Sequence, residues 1–184
     1  MAFSTQSAKK YQLRSGLFIL PEHDQKFNRL LSDLLRDLPA KFIMLVDITG
    51  QVILAKGEHK DTNLVMLGSL IAGDLAASRE IARLTGEYQD YQIILREGQH
   101  SHSFIVEAGN YLILLIQVDN EVLLGWARML IIKTAQQLAN VVTQTTLSAA
   151  EVADMEHEIA LSLDKSEESL VDLFGDALDE MWGE

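Results

Sequence analysis

The sequence predicts an α/β fold of the α+β type, with five short strands, three long helices and an acidic helical segment after them. Three observations support this prediction. Two apolar runs have the length of buried strands, and three longer segments show the three- and four-residue spacing of amphipathic helices. The negative charge is concentrated in the last part of the chain. We therefore expect one compact domain followed by a separate acidic extension.

The first helix follows a polar, irregular segment, residues 1–21, which we expect to be flexible. From Phe27 to Leu38, leucine and phenylalanine side chains repeat at helical spacing and form one apolar stripe. Pro39 then ends the helix, since proline lacks the backbone N–H that the next turn requires.

The first two strands are predicted to form an antiparallel hairpin. Residues 42–46 are apolar throughout and too few for a typical helix, which favours a strand buried on both faces. Thr49 and Gly50 give a turn signal, and residues 52–54 return as the second strand. Asp47 is interpreted as a hydrogen-bond acceptor for the turn backbone rather than as a catalytic group.

The second helix is predicted to start at a cap provided by Thr62 or Asn63 and to end at Gly86. Between residues 64 and 73 apolar and small residues surround the helix, so it must be buried on more than one side. One face can cover the sheet, and the other face needs a partner. Small residues repeat every four positions and would let another helix approach: Gly68, Ala72 and Ala76.

Three more strands are predicted, over residues 91–96, 103–107 and 111–118. The last is continuously apolar, so we expect it at the centre of the sheet. The strand 91–96, if it lies at an edge, would be an aggregation risk unless it is paired. The surplus apolar surface predicts that two copies associate through these residues: Gly68, Ala72, Ala76, Tyr91, Ile93 and Leu95.

The third long helix is predicted to begin at a cap formed by Asp119 or Asn120. Its buried side is expected to contain Leu124, Ala127, Ile131, Leu138 and Val142. The expected organisation is thus a flexible segment over 1–21, a domain over 22–147 and an acidic helical extension over 148–184.

The charge distribution bears on the class of partner. The chain of 184 residues carries a net charge of −12, and residues 149–184 hold 12 acidic residues and one lysine, a net charge of −11. The remaining −1 belongs to residues 1–148. An acidic tail repels phosphates, so nucleic acid is not expected as a partner, whereas a basic protein surface is.

The end of the extension shows helical spacing of apolar side chains between acidic ones, which favours an amphipathic helix that binds a partner. The alternatives are that this helix docks on its own domain or forms only a solvated tail. The expected partner-binding side chains are Leu170, Phe174, Leu178, Met181 and Trp182.

The order helix, hairpin, helix, three strands, helix resembles the Roadblock/dynein light chain family. The stretches that carry the resemblance are LVDITGQVILAKG (45–57), LGSLIAGDLAAS (67–78) and YLILLIQVDNEVLLGWARMLI (111–131). The resemblance implies a Roadblock/longin-like five-stranded antiparallel sheet with one helix on one face and two on the other. It also implies that the first and last strands are central, and that two copies pair through their third strands and second helices.

The same resemblance implies a function. Bacterial, MglB-like members of the family bind a Ras-like small GTPase, alter its nucleotide cycle and belong to systems of cell polarity, whereas others act as light-chain adaptors. The expected function is a homodimeric GTPase regulator, and the alternative is a scaffold that assembles complexes through the acidic segment. Arg79 and Arg83 on the second helix are candidate contacts, although a solvated helix end near Glu80 is the commoner role for such charges. A small-ligand sensor would need a polar cluster that the sequence does not offer.

Catalysis, cofactors and metals are not expected. The sequence has neither a phosphate-binding loop with its lysine nor a Gly-x-Ser-x-Gly motif, so the chain should not be an enzyme. Cysteine is absent, and His100 with His102 supplies too few ligands for a tetrahedral site. No segment has the length of a signal peptide core or a membrane span, so we expect a cytoplasmic protein without stable membrane insertion.

Overall fold

The computed structural model describes residues 11–86 and 93–143. The elements in chain order are β1 (Tyr11–Gln12), β2 (Phe18–Ile19), α1 (Pro21–Asp37), β3 (Ala40–Asp47), β4 (Val52–Gly57), α2 (Leu64–Thr85), β5 (Ile93–Glu97), β6 (Ser101–Ala108) and β7 (Leu112–Asp119). A further helix, α3, follows and is described over residues 124–143. In these ranges no helix combines the length and the apolar character needed to cross a membrane.

Five strands form one sheet in the order β4-β3-β7-β6-β5, and every neighbouring pair is antiparallel. The two continuous apolar runs, β3 and β7, lie side by side inside the sheet, as predicted. Both are buried along almost their whole length because they have a neighbouring strand on each side and helices on both faces. β5 and β4 form the two edges.

The helices divide between the two faces of the sheet. On one face Phe27 of α1 and Ile131 of α3 belong to the same core as Ile43 and Leu114. On the other face Ile71 and Leu75 of α2 pack against side chains such as Met44. Alternate residues of each strand point to opposite faces, so the sheet separates two apolar cores. The predicted fold class, with helices on both faces of a five-stranded antiparallel sheet, is confirmed.

The beginning of the chain corrects one expectation. Residues 11–20 were expected to be flexible, but β1 and β2 pair as a short hairpin that turns at Gly16 with a φ of +86°. Leu13, Leu17 and Ile19 are buried in the core that contains α1 and α3. The burial of these three side chains ties the hairpin to the domain, so the ordered structure begins well before residue 22.

The ends of the helices are close to the predicted positions, with one exception. The Asn63 side chain accepts a hydrogen bond from the backbone N–H of Met66, and Gly86 closes α2 with a φ of +74°. The third helix starts at residue 124 and not directly after the predicted cap. Asp119 is instead the last residue of β7, too far before the helix to cap it, and its carboxylate pairs with Lys41 at 2.9 Å.

Candidate self-association and partner-binding surface

The outer side of α2 is an exposed apolar surface. Large side chains here have much of their area in solvent: Met66 is 57% exposed, Leu70 62%, Ile81 62% and Leu84 71%. Gly73 and Ala77, which are also exposed, occupy the middle of the same helix face. The spacing of four, three, four, four and three residues keeps these six positions on one line along the helix. We call this set the α2 outer face.

The predicted small-residue strip does not coincide with the α2 outer face. Gly68 is buried, and a β-carbon there would lie 2.3 Å from the carbonyl oxygen of Gly50 in its own chain. Ala72 is half-buried against the core under α2, and only Ala76 is exposed. Gly68 therefore gives close contact between α2 and the β3–β4 turn of the same chain, which corrects its assignment to a surface between copies.

The strand β5 gives the sheet an open edge beside α2. Ile93 is half-buried against the core of α1 and α3, whereas Leu95 is 38% exposed. Among the described residues β5 pairs with β6 and with no other strand, so its other side carries backbone groups that another strand can bind. Tyr91, the third predicted contact on this strand, lies outside the described residues.

Two ion pairs join α2 to the strands below it. Arg79 pairs with Glu107 of β6, whose side chain is only 5% exposed. Asp74 pairs with Arg96 of β5 at 2.8 Å between Oδ1 and Nη2. These pairs hold the second half of α2 over β5 and β6, so the α2 outer face and the β5 edge form parts of one surface.

The second predicted arginine on α2 has a different environment. Arg83 pairs with Glu80 on the same helix, and both side chains are more than half exposed. Glu80 holds the pKa of Arg83 above its ordinary value through this side-chain hydrogen bond. Arg83 is therefore accessible to another protein, while the guanidinium of Arg79 is already engaged with a buried carboxylate.

The remaining candidates are placed as follows. Asp47 is fully buried, and its Oδ1 accepts hydrogen bonds from the backbone N–H groups of Thr49 and Gln51, which confirms its interpretation as a turn residue. In residues 11–86 and 93–143 no group of three or more metal-binding side chains occurs around His100, His102 or elsewhere. The predicted extension 148–184 and its partner-binding side chains lie outside the described residues: Leu170, Phe174, Leu178, Met181 and Trp182.

Comparison with known proteins identifies the family. No family model and no curated protein matches the chain. Among solved structures, Myxococcus xanthus MglB is 30% identical, with a TM-score of 0.63, and the match covers 68% of this chain and 94% of MglB. The chain is an MglB-like member of the Roadblock family.

Two further solved structures share the fold. The gliding protein MglB from Thermus thermophilus is 25% identical, with a TM-score of 0.63 and coverage of 70% of this chain and 96% of that one. A Roadblock/LC7 domain from Streptomyces avermitilis shares the fold at 18% identity, with a TM-score of 0.51 and coverage of 66% and 96%. The MglB-like chain thus has the family expected from its sequence.

Proposed function

We propose that this MglB-like chain is a homodimeric regulator of a Ras-like small GTPase and that it acts in the cytoplasm. The observation that carries the proposal is the match to MglB over nearly the whole of that protein. The regulator would change hydrolysis or exchange by repositioning groups of the GTPase, or by contributing an arginine to it, and would not itself be an enzyme.

The homodimer is supported by the exposed surface on and beside α2. An apolar helix face of six positions next to an open strand edge is unusual for a chain that stays single, because both features favour association. A second copy would cover both at once by pairing β5 with β5 and α2 with α2, which closed two-fold symmetry permits.

The contact with the GTPase is proposed to include Arg83, with Arg79 in a supporting role. Arg83 is two-thirds exposed and can exchange its helical partner Glu80 for a carboxylate or phosphate of a partner at little cost. Arg79 would instead hold α2 in place through Glu107. The acidic extension is proposed as an additional anchor through Leu170, Phe174, Leu178, Met181 and Trp182.

A scaffold without regulatory action is the second candidate, and the charge of −11 in residues 149–184 favours it. In that case the dimer would assemble complexes through the acidic amphipathic segment, with charge steering the encounter. Deletion of residues 166–184 should leave folding intact and weaken binding of the partner. Unchanged affinity after this deletion would remove the segment from both candidates.

The decisive experiment measures phosphate release and labelled-GDP release by a Ras-like GTPase of the same organism, with and without excess full-length chain. A regulator should change one of these rates by at least about tenfold. The Arg83→Ala variant should reduce the effect, and Glu80→Ala serves as the matched control on the same helix turn. Binding without any change in either rate would favour the scaffold, and absence of binding would contradict both candidates.

A further inference from the structure

An ion pair lies where the α2 outer face meets the open edge of the sheet. Oδ1 of Asp74 on α2 lies 2.8 Å from Nη2 of Arg96 on β5, and the Arg96 side chain is 59% exposed. The other carboxylate oxygen of Asp74 is buried and has no hydrogen-bond partner among the described residues. One oxygen of this carboxylate thus has an ion-pair partner and the other has none among the described residues. The Arg96 guanidinium has further N–H donors that this ion pair does not use.

The geometry of an antiparallel edge limits how two β5 strands can meet. Directly opposed residues point to the same face of the sheet, and α2 lies on the same face in both copies of a symmetric dimer. The two-fold axis must therefore pass between a residue and its own copy. Leu95 is the middle residue of β5, and an axis there places Leu95 opposite the partner's Leu95 and Ile94 opposite the partner's Arg96.

At this register the charges of the two copies come together on the α2 side of the sheet. Ile94 belongs to the core under α2, so Arg96, two residues further along β5, points to the same face. The α-carbons of the two Arg96 residues would be diagonal neighbours roughly 7–8 Å apart. Without the two aspartates this arrangement would be repulsive, and with them the four charges sum to zero.

We infer that Asp74 and Arg96 of two copies form one four-charge cluster across the axis of the dimer, and that this cluster selects a second copy as the partner of β5. The inference rests on the homodimer proposed above and adds its determinant of specificity. An unrelated strand would not bring a second arginine and aspartate to this point, and a positive side chain there would repel Arg96, which opposes wrong pairing.

The test mixes two single variants, Asp74→Lys and Arg96→Glu, carrying mass tags that native mass spectrometry separates. A dimer of either variant with itself has four like charges in the cluster. In the mixed dimer, one copy contributes two positive charges and the other contributes two negative charges. All attractions are then between the copies, and the like charges that repel each other lie within one copy. Mixed dimers should exceed random pairing by roughly tenfold relative to the self-paired dimers.

Two further preparations complete the experiment. Lys41→Glu mixed with Asp119→Lys is the matched control, because this ion pair of similar exposure lies where β3 meets β7 and should give random pairing. If the charge reversals fail to fold, Asp74→Asn and Arg96→Gln replace them, and each should raise the dissociation constant of the dimer several-fold at low salt.

The outcomes separate this inference from the proposed homodimer. A monomeric wild-type chain would overturn both. A wild-type dimer whose variants pair at random would overturn the cluster and leave the homodimer standing. With the neutral variants, a dissociation constant equal to that of the wild type would likewise overturn the cluster.

Discussion

Gly68 on α2 and Gly50 in the β3–β4 turn contact each other through their backbones. A β-carbon built on Gly68 would lie 2.3 Å from the carbonyl oxygen of Gly50, and one built on Gly50 would lie 2.6 Å from the carbonyl oxygen of Gly68. Gly50 also has a φ of +85°, which side chains disfavour. The two glycines therefore fix the first half of α2 against the turn and determine which side of the helix remains exposed.

The first prediction concerns this contact. Gly68→Ala should lower the free energy of unfolding by about 2 kcal/mol, because neither backbone can move away without disturbing the sheet. Gly125→Ala on α3 is the matched control, since a β-carbon there meets no atom within 4 Å. Helix propensity alone should make that control more stable, by up to about 1 kcal/mol. Chemical denaturation measures both, and equal stabilities would contradict the close contact.

The second prediction separates the two arginines of α2. Arg79→Ala removes an ion pair to Glu107, a carboxylate that is only 5% exposed, and should cost about 2 kcal/mol of stability. Arg83→Ala breaks an exposed pair within the helix and should change stability by less than about 0.5 kcal/mol. Thermal unfolding of the two variants side by side tests this. A larger loss for Arg83→Ala would mean that the roles assigned to them are reversed.

The third prediction concerns His23 in the first turn of α1. The ring is buried, and its Nδ1 accepts a hydrogen bond from the backbone N–H of Leu20. Burial lowers the pKa of His23 below its ordinary value of 6.5, so the folded state favours the neutral ring. The contribution to stability is complete above pH 6.5 and is lost as the pH falls through the lower pKa of the folded state.

This dependence can be measured by urea denaturation between about pH 7.5 and about pH 5, a range that spans the ordinary histidine pKa. The wild type should lose stability over this range, and His23→Gln should lose less because glutamine does not titrate. Parallel pH profiles for the two proteins would show that His23 is not linked to folding.

Much of the sheet could be predicted because its central strands are unambiguous. Residues 42–46 and 112–116 are continuously apolar, and the structure buries them in β3 and β7. The cap at Asn63 and the end of α2 at Gly86 could also be predicted from the sequence. Both depend on local backbone interactions: Asn63 accepts a hydrogen bond from the first turn, and Gly86 adopts a positive φ. Local rules succeed where the surrounding structure does not compete with them.

The exposed side of α2 could not be derived from its small residues. Four residues advance the helix by about 400°, so a strict four-residue repeat drifts by about 40° at each step. Gly68, Ala72 and Ala76 accordingly pass from the buried side to the exposed side. The exposed face is marked by three- and four-residue spacings between Met66 and Leu84. This pattern could not be recognised in the sequence because apolar residues also occupy the other sides of α2.

The N-terminal hairpin was missed for a different reason. Its two strands contain only two residues each, which is too short for any periodic pattern. Its position depends on tertiary contacts, such as the hydrogen bond from the backbone N–H of Ser15 to Oδ2 of Asp47 at 3.2 Å. Leu13 and Leu17 on either side of Gly16 were the available signal.

The mass of the full chain in solution, measured by sedimentation equilibrium, tests the central claim that a second copy covers the α2 outer face. The wild type should have twice the mass of one 20.5 kDa chain, and Leu70→Asp should dissociate it. Leu123→Asp, a change at an exposed leucine beside α3, is the control and should leave the dimer intact. A wild-type chain that stays single at high concentration, or a dimer unaffected by Leu70→Asp, would contradict the account.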